Sequence, residues 1–299
     1  MLKSEILILG SSGQLGSELC SYAKKNNILI SEYTHQQIDL NNTVLLKECF
    51  SRHTPKFVIN AAAYTAVDKA ETEIEAANQL NAYAAVDLAK LCSEYDSILI
   101  HPSTDYVFNG IKITDYQEID IPVPLNQYGS SKLLGEQGIQ TVNHQHIILR
   151  VSWLFGNAGK NFVKTILRLG LTQPEIKVVA DQFGCPTATK HVSEVIFQLI
   201  AQMTQGKKFF GVYHYCDLPK TTWYHFAEKI IQISKIVRPE TSWANVIPIS
   251  TADFFTPAAR PKNSVLSCDK IYQDYGIKQK SWEAALNDLI TDLLLSSEG

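Results

Sequence analysis

The 299-residue chain is long enough for one large α/β domain or for two smaller domains that share an interface. Its formal net charge of -3 supplies no basic field, so we expect neither a nucleic-acid partner nor binding to an anionic membrane. The N-terminal apolar stretch is too short for a signal-peptide core and no run approaches the roughly 20 apolar residues of a membrane span, which predicts a cytoplasmic protein.

Strands and helices alternate along the first half of the chain. Apolar, β-branched runs predict strands at 5–10, 28–33, 56–62, 97–103 and 146–155, and helical periodicity predicts helices at 14–25, 43–51, 74–93 and 128–142. Alternation with short connections gives a parallel sheet wrapped by right-handed crossovers. The sequence therefore predicts an α/β protein with a doubly wound, Rossmann-type sheet.

Beyond residue 156 the pattern is looser and its connections are longer. Helices are predicted at 162–169, 191–203, 222–233 and 282–294, and strands at 176–180 and 211–216. We expect residues 1–152 to form a dinucleotide-binding domain and 153–299 to form, in the main, a smaller substrate-binding domain. The stretch at about 190–216 is regular enough to rejoin the first sheet.

A glycine-rich turn joins the first strand to the first helix. The segment runs Gly10, Ser11, Ser12, Gly13, Gln14, Leu15, Gly16. Glycine at this turn lets a pyrophosphate approach backbone N–H groups at the positive end of a helix. The alternative is a turn that needs glycine only for steric reasons. Its place at the first strand-to-helix turn favours binding of a dinucleotide, NADPH or NADH.

The end of the second strand leaves the choice between the two dinucleotides open. Glu32 could bind a ribose 2′-hydroxyl, whereas no arginine is present nearby to pair with a 2′-phosphate, and His35 is the nearest basic side chain.

Tyr128 and Lys132 are four residues apart on one predicted helix, so both side chains project from the same face. A phenol has a pKa of about 10, and a nearby ammonium stabilises its phenolate. Tyr128 can then act as a general acid toward a carbonyl, with Lys132 as the group that adjusts its pKa. An amphipathic helix with a surface lysine is the alternative. The position after the fourth strand of a dinucleotide fold favours catalysis.

The fourth strand ends in a polar cluster, Ser103, Thr104, Asp105 and Tyr106. The carboxyl ends of parallel strands form the edge at which ligands bind. Thr104 can donate a hydrogen bond to the carbonyl oxygen that Tyr128 protonates, and Asp105 and Tyr106 can reach substrate hydroxyls. The alternative is that these residues only cap a turn.

Trp153 follows the fifth strand and is predicted to emerge at the same edge as Thr104. There it could stack on a sugar or a pyrimidine ring of the substrate. The alternative is a tryptophan buried in the core or between the two domains.

Together these stretches resemble the dTDP-4-dehydrorhamnose reductase family, a branch of the extended short-chain dehydrogenase/reductases. The matching segments are "GSSGQLGSEL", "IDL", "NAAAYTAVDKAE", "STDYVFNG", "PLNQYGSSKLLGE", "RVSWLFG", "NFVKTILRL", "VVADQFGCPT", "RPKNSVL" and "SWEAALNDL". The resemblance implies NAD(P)H-dependent reduction of the 4-keto group of dTDP-4-dehydro-L-rhamnose to give dTDP-L-rhamnose, a precursor of cell-surface polysaccharides.

The resemblance also implies roles for particular residues. The catalytic residues would be Thr104, Tyr128 and Lys132. The cofactor contacts would be Gly10, Gly13, Gln14, Leu15, Gly16, Asp39, Leu40, Ala63, Tyr64, Thr65, Tyr128 and Lys132. The substrate contacts would be Thr104, Asp105, Tyr106 and Trp153. For Asp39 the alternative is that it caps the helix that begins near Thr43.

A metal ion and a partner subunit are less well defined by the sequence. Some relatives hold magnesium between glutamates at a dimer interface, and Glu18 is the one candidate ligand whose position matches. A bound Mg²⁺ and a homodimer are therefore open expectations. The six cysteines are far apart and lack metal-finger spacing, which favours buried free thiols.

Two other functions remain as alternatives. Sugar-nucleotide dehydratases and epimerases share the tyrosine and lysine. In dehydratases the segment after the fourth strand is similar to "STDE", whereas this chain has Thr104-Asp105-Tyr106 and lacks the second carboxylate. A non-catalytic NADP-binding subunit of the methionine adenosyltransferase β type, which resembles the same family, is the other alternative. Net reduction by consumed NAD(P)H is the favoured interpretation.

Overall fold

A computed structural model describes residues 5–295 of the chain. Its strands are β1 (Ile6–Leu9), β2 (Ile30–Tyr33), β3 (Phe57–Asn60), β4 (Ile98–Thr104), β5 (His146–Val151), β6 (Leu154–Phe155), β7 (Glu175–Val179), β8 (Phe183–Gly184), β9 (Thr187–Ala188), β10 (Gly211–Tyr215), β11 (Thr221–Thr222) and β12 (Asn245–Ile249). Its helices are α1 (Gln14–Lys25), α2 (Thr43–His53), α3 (Val67–Ala70), α4 (Ile74–Asn78), α5 (Ala84–Glu94), α6 (Gln127–Val142), α7 (Phe162–Thr172), α8 (Thr189–Thr204), α9 (Trp223–Val237), α10 (Asp269–Tyr275) and α11 (Trp282–Leu295).

A six-stranded parallel sheet with the order β10-β5-β4-β3-β1-β2 forms the centre of the molecule. Every residue of β1 and β3 is buried, as expected for strands covered on both faces, where apolar runs replace an alternating pattern. The prediction of a Rossmann-type parallel sheet is confirmed. The strand predicted at 211–216 lies in this sheet, beside β5.

Helices cover both faces of the sheet. On one face α1 and α8 pack together, and the rings of Tyr22 and Phe197 stack with their centroids 5.1 Å apart. On the other face α2, α5 and α6 bury Phe50, Leu88 and Ile139 against the strands. Among the helices of residues 5–295, none is long and apolar enough to cross a membrane.

The second layer has a hydrophobic core of its own. Helices α7, α9 and α11 pack around Phe226 and Leu286, beside the parallel pair β7 and β12. Neither apolar runs nor helical periodicity in the sequence predicted β12, α10 or α3. Pro248 interrupts the apolar pattern of β12, and both helices are too short to show helical periodicity.

The helix predicted over 74–93 is interrupted by a π-helical turn at Gln79–Tyr83. This turn carries the buried Asn81, whose Oδ1 accepts from Tyr64 N and whose Nδ2 donates to Tyr64 O and to Ser131 Oγ. The side chain thus joins the loop after β3 to α6, and π-helical turns commonly mark such functional positions.

All six cysteines are free thiols, as predicted, and five of them are buried. Cys20 is only half-buried.

Candidate active site

A cleft of about 690 Å³ opens at the carboxyl edge of the sheet, beside the second layer. The glycine-rich turn, the ends of β3, β4 and β5, and the start of α6 line one side of it. The opposite side is formed by the segment after β6 and by the start of α9. The cleft thus lies where ligands of open parallel sheets bind.

The glycine-rich turn is shaped by close backbone contacts. Gly10 has a φ of +80°, and a Cβ there would lie 2.6 Å from Ala62 N. A Cβ on Gly16 would overlap the carbonyl of Gly10. At Gly13 a Cβ would lie 3.3 Å from Gly10 O, and no side chain caps the helix that begins after this residue. Gly10 and Gly16 therefore shape the turn, whereas Gly13 leaves the helix N-terminus open for an anion.

Seven of the predicted cofactor contacts line the cleft, and five do not. The seven are Gly13, Gln14, Leu15, Ala63, Thr65, Tyr128 and Lys132. The five are Gly10, Gly16, Asp39, Leu40 and Tyr64. Leu40 is buried in the core, and the hydroxyl of Tyr64 donates to Glu73 Oε2 at 2.6 Å.

The alternative role for Asp39 as a helix cap is wrong. Asn42 caps α2, because its side chain accepts from Leu45 N at 3.1 Å. The Asp39 carboxylate instead accepts from the backbone N and the side chain of Asn41.

Thr104, Asp105 and Tyr128 meet at the end of β4. Thr104 Oγ1 donates to Asp105 Oδ1 and accepts from Tyr106 N, each at 3.1 Å, so the predicted turn cap is present as well. Burial raises the pKa of Tyr128 to about 12, and the hydrogen bond with Thr104 acts in the opposite direction by lowering it. A phenol kept protonated beside a hydroxyl can donate a proton to a carbonyl oxygen.

Burial also raises the pKa of Asp105 to about 7, although the hydrogen bond from Thr104 opposes the shift. The phenol of Tyr106 contacts Arg260, whose guanidinium donates to both carboxylate oxygens of Asp68 at 3.0 Å. Tyr106 therefore lines the cleft at a point where the second layer is tied to α3.

Lys132 lies in the same cleft, and its hydrogen bonds go to groups other than Tyr128. Its Nζ donates to Pro102 O at 2.9 Å and lies 3.1 Å from His101 Nε2. Burial lowers the pKa of Lys132 to about 8, and the charge of Glu136 opposes the shift. The predicted effect of Lys132 on the phenol stays a prediction.

Behind these residues lies a buried ion pair. Arg150 on β5 binds Glu136 through Nε and Nη2, with an Nη2–Oε2 distance of 2.6 Å, and Ser103 Oγ donates to Glu136 Oε1 at 2.5 Å. Glu136 is two turns beyond Tyr128 on α6. The network therefore ties the helix that carries Tyr128 and Lys132 to the ends of β4 and β5.

Trp153 emerges at the predicted edge with a φ of +45°, and it is half-buried. Its indole stacks on that of Trp223, with centroids 3.5 Å apart and planes 8° apart. Phe162 packs against Trp223, and all three aromatic side chains line the cleft. Sequence reasoning missed Phe162 and Trp223, and Lys160 at the same mouth.

The residues around Glu18 do not fit a divalent cation. Burial raises the pKa of Glu18, and the ammonium of Lys190 opposes the shift. Lys190 also pairs with Asp288 at 2.7 Å, so a cationic side chain already lies beside the carboxylates. Within residues 5–295 no three His, Cys, Asp or Glu side chains converge as metal ligands.

The sheet topology and the Tyr128–Thr104 contact define a Rossmann-type protein of the reductase and epimerase class. The chain belongs to the family described as RmlD substrate binding domain, whose model matches residues 4–295. It is similar to dTDP-4-dehydrorhamnose reductase of Aggregatibacter actinomycetemcomitans, at 38% identity over 290 residues that make up 96% of this chain and 98% of the relative. The resemblance inferred from the sequence is confirmed.

Two solved structures of proteins with the same name are also similar to this chain. That from Bacillus anthracis strain Ames, in complex with NADP, has a TM-score of 0.89 and 34% identity, and the match covers 97% of this chain and 100% of that one. The structure from Clostridium acetobutylicum has a TM-score of 0.89 and 35% identity, and the match covers 97% of this chain and 99% of that one.

Proposed function

We propose that the protein uses NADH or NADPH to reduce the 4-keto group of dTDP-4-dehydro-L-rhamnose, giving dTDP-L-rhamnose for polysaccharide synthesis. The observation that carries this proposal is the contact of Tyr128 with Thr104 inside a cleft that begins at the glycine-rich turn. Two hydroxyl donors there can bind one carbonyl oxygen beside a dinucleotide site. The full-length match to proteins named for this reaction supports the choice of substrate.

The cofactor would lie against the open helix N-terminus at Gly13 and extend past Ala63 and Thr65 toward Lys132. When bound, the reduced nicotinamide supplies the hydride that adds to C4 of the sugar. Tyr128 gives its phenolic proton to the O4 atom. The Thr104 hydroxyl, rotated away from Asp105 Oδ1, donates a second hydrogen bond to the same atom. The product is the 4-hydroxy sugar, and Tyr128 is left as a phenolate that must regain a proton.

Lys132 stabilises that phenolate by its charge when it is an ammonium. Its buried position keeps water from screening this charge, which strengthens the electrostatic effect. The carbonyl of Pro102 holds the Nζ atom at the wall of the cleft.

The substrate side would be formed by Asp105, Tyr106 and Trp153. Asp105 and Tyr106 lie next to Thr104 and can bind hydroxyl groups of the sugar, while the stacked indoles of Trp153 and Trp223 offer a flat face for a sugar or pyrimidine ring. On this assignment the domain of residues 1–152, whose sheet also includes β10, binds the dinucleotide. The rest of the chain completes the sugar-nucleotide site.

Turnover of dTDP-4-dehydro-L-rhamnose with NADH and with NADPH tests the proposal, with the product sugar identified by NMR. Stoichiometric oxidation of the cofactor and formation of dTDP-L-rhamnose are expected. Conversion of a sugar nucleotide without net oxidation would instead indicate an epimerase. Tight dinucleotide binding without any turnover would favour the regulatory subunit.

A further inference from the structure

Behind Lys132 lies a buried row of polar side chains that the proposed reaction does not use. Asn60 ends β3, His101 lies in β4, and both are at most 2% exposed. His101 Nδ1 is 3.2 Å from Asn60 Nδ2, and His101 Nε2 is 3.1 Å from Lys132 Nζ. The two ring nitrogens of His101 thus join an amide to the lysine of the cleft.

The orientation of the Asn60 amide determines which atoms of this row carry hydrogens. Its Oδ1 accepts from Ala62 N at 3.2 Å, which directs the Nδ2 hydrogens at His101 Nδ1. His101 Nδ1 must then carry a lone pair, so the ring proton of a neutral imidazole lies on Nε2. That N–H points at Lys132 Nζ, which can accept it only as a neutral amine.

An ammonium at Lys132 reverses this order. It has no lone pair, so it must donate to His101 Nε2, and the ring proton moves to Nδ1, where it faces the hydrogens of Asn60 Nδ2. If the amide of Asn60 turns over to accept from Nδ1, its NH₂ group faces the N–H of Ala62 instead. Either arrangement of the ammonium form leaves two donors facing each other, and the amine form leaves none.

We propose that Asn60 and His101 are positioning residues that stabilise the neutral amine of Lys132, through a His101 tautomer that changes with the charge of the lysine. A lysine with a stabilised amine form is a stronger acid. It can therefore pass a proton toward the Tyr128 phenolate at the end of each reduction, and this part of the inference rests on the proposed function.

The surrounding charges are consistent with this arrangement. Burial lowers the pKa of Lys132 to about 8, while Glu136, on the same helix, favours the ammonium. The pKa of His101 lies well below its usual value because of burial, the charge of Lys132 and the neighbouring His146 on β5. These causes all disfavour a doubly protonated His101.

The isosteric change Asn60→Asp tests the proposal. Its carboxylate can still accept from Ala62 N and also accepts from His101 Nδ1–H, so the ring donates nothing to Lys132 and the ammonium is stabilised. The alkaline limb of the kcat/KM profile should move up by about one pH unit or more. Nitrogen NMR of the imidazole, without cofactor or substrate, should show His101 changing from Nδ1–H to Nε2–H with rising pH, at a higher midpoint in the variant.

The double variant Asn60→Asp/His101→Phe is the matched control, compared with His101→Phe alone after melting temperatures show that both fold. The added carboxylate favours the ammonium through space in both backgrounds, so it should shift the alkaline limb clearly more when the imidazole is present than when it is absent. An equal shift without the imidazole, or a His101 tautomer that does not change with pH, would overturn the proposal. The NMR titration needs no turnover, so it gives its answer even if the wild-type protein fails to reduce the sugar nucleotide.

Discussion

On one side of the cleft Ser103, Thr104 and Lys132 are buried, and each is fixed by hydrogen bonds to neighbouring groups. We call this side, with Tyr128, the polar wall. On the other side Trp153, Phe162 and Trp223 are partly exposed and held by ring stacking; we call it the aromatic wall. The polar wall is preorganised for proton transfer, whereas the aromatic wall offers area without directional bonds. Substitutions on the first should change kcat or folding, and substitutions on the second should change KM.

The largest effect is expected for Tyr128→Phe, which removes the proton donor of the polar wall. We expect kcat to fall by about 10² to 10⁴, the range for loss of a positioned acid, with unchanged affinity for NADPH. Steady-state kinetics and calorimetry measure the two quantities. Near-normal turnover by the folded variant would remove Tyr128 from its role and leave the polar wall without a catalytic acid.

The ion pair behind the polar wall should control stability. Glu136→Leu leaves the guanidinium of Arg150 buried and unpaired, so we expect the free energy of unfolding to fall by about 3–5 kcal/mol in denaturant titrations. The control is Lys90→Ala at the exposed pair with Asp87, where about 1 kcal/mol or less is expected. Equal losses at the two pairs would show that the buried network does not hold the wall in place.

A smaller effect is expected at the glycine-rich turn, where Gly13→Val places a branched side chain over the open helix end. We expect NADPH affinity to fall about tenfold or more. The Tm should fall only slightly, because a Cβ there makes one tight contact, 3.3 Å to Gly10 O, which a small shift relieves. Gly16→Ala is the contrasting variant, because its Cβ overlaps the backbone of Gly10 and should lower the Tm. Unchanged affinity in Gly13→Val would make the turn purely structural.

The polar wall was largely predictable from the sequence, and the aromatic wall was not. Tyr128 and Lys132 are one helical turn apart, and Thr104 ends a strand, so local spacing places all three. Trp223 comes about 70 residues after Trp153, at the start of another helix, and periodicity does not show which helix ends meet. The contact of His101 with Lys132 was missed for a different reason. A histidine inside an apolar strand is interpreted as a core residue until its neighbours on β3 and α6 are known.

The smallest expected effect is at Trp153, where the aromatic wall meets the end of β5. Its indole is half-buried and stacks on Trp223, and Gly184 packs so closely against it that a Cβ there would overlap the indole ring. Trp153→Ala removes the flat face offered to a sugar or pyrimidine ring, and it also exposes Trp223. We expect the KM for the sugar nucleotide to rise about tenfold, equivalent to about 1.4 kcal/mol, while kcat and NADPH affinity stay close to wild type.

Trp223→Leu is the companion variant, because it removes the support for the indole but leaves Trp153 in the cleft, so a smaller rise in KM is expected. A large fall in Tm with unchanged KM in Trp153→Ala would mean that the indole only fills space between the two layers, and the ring of the substrate would have to bind elsewhere along the cleft.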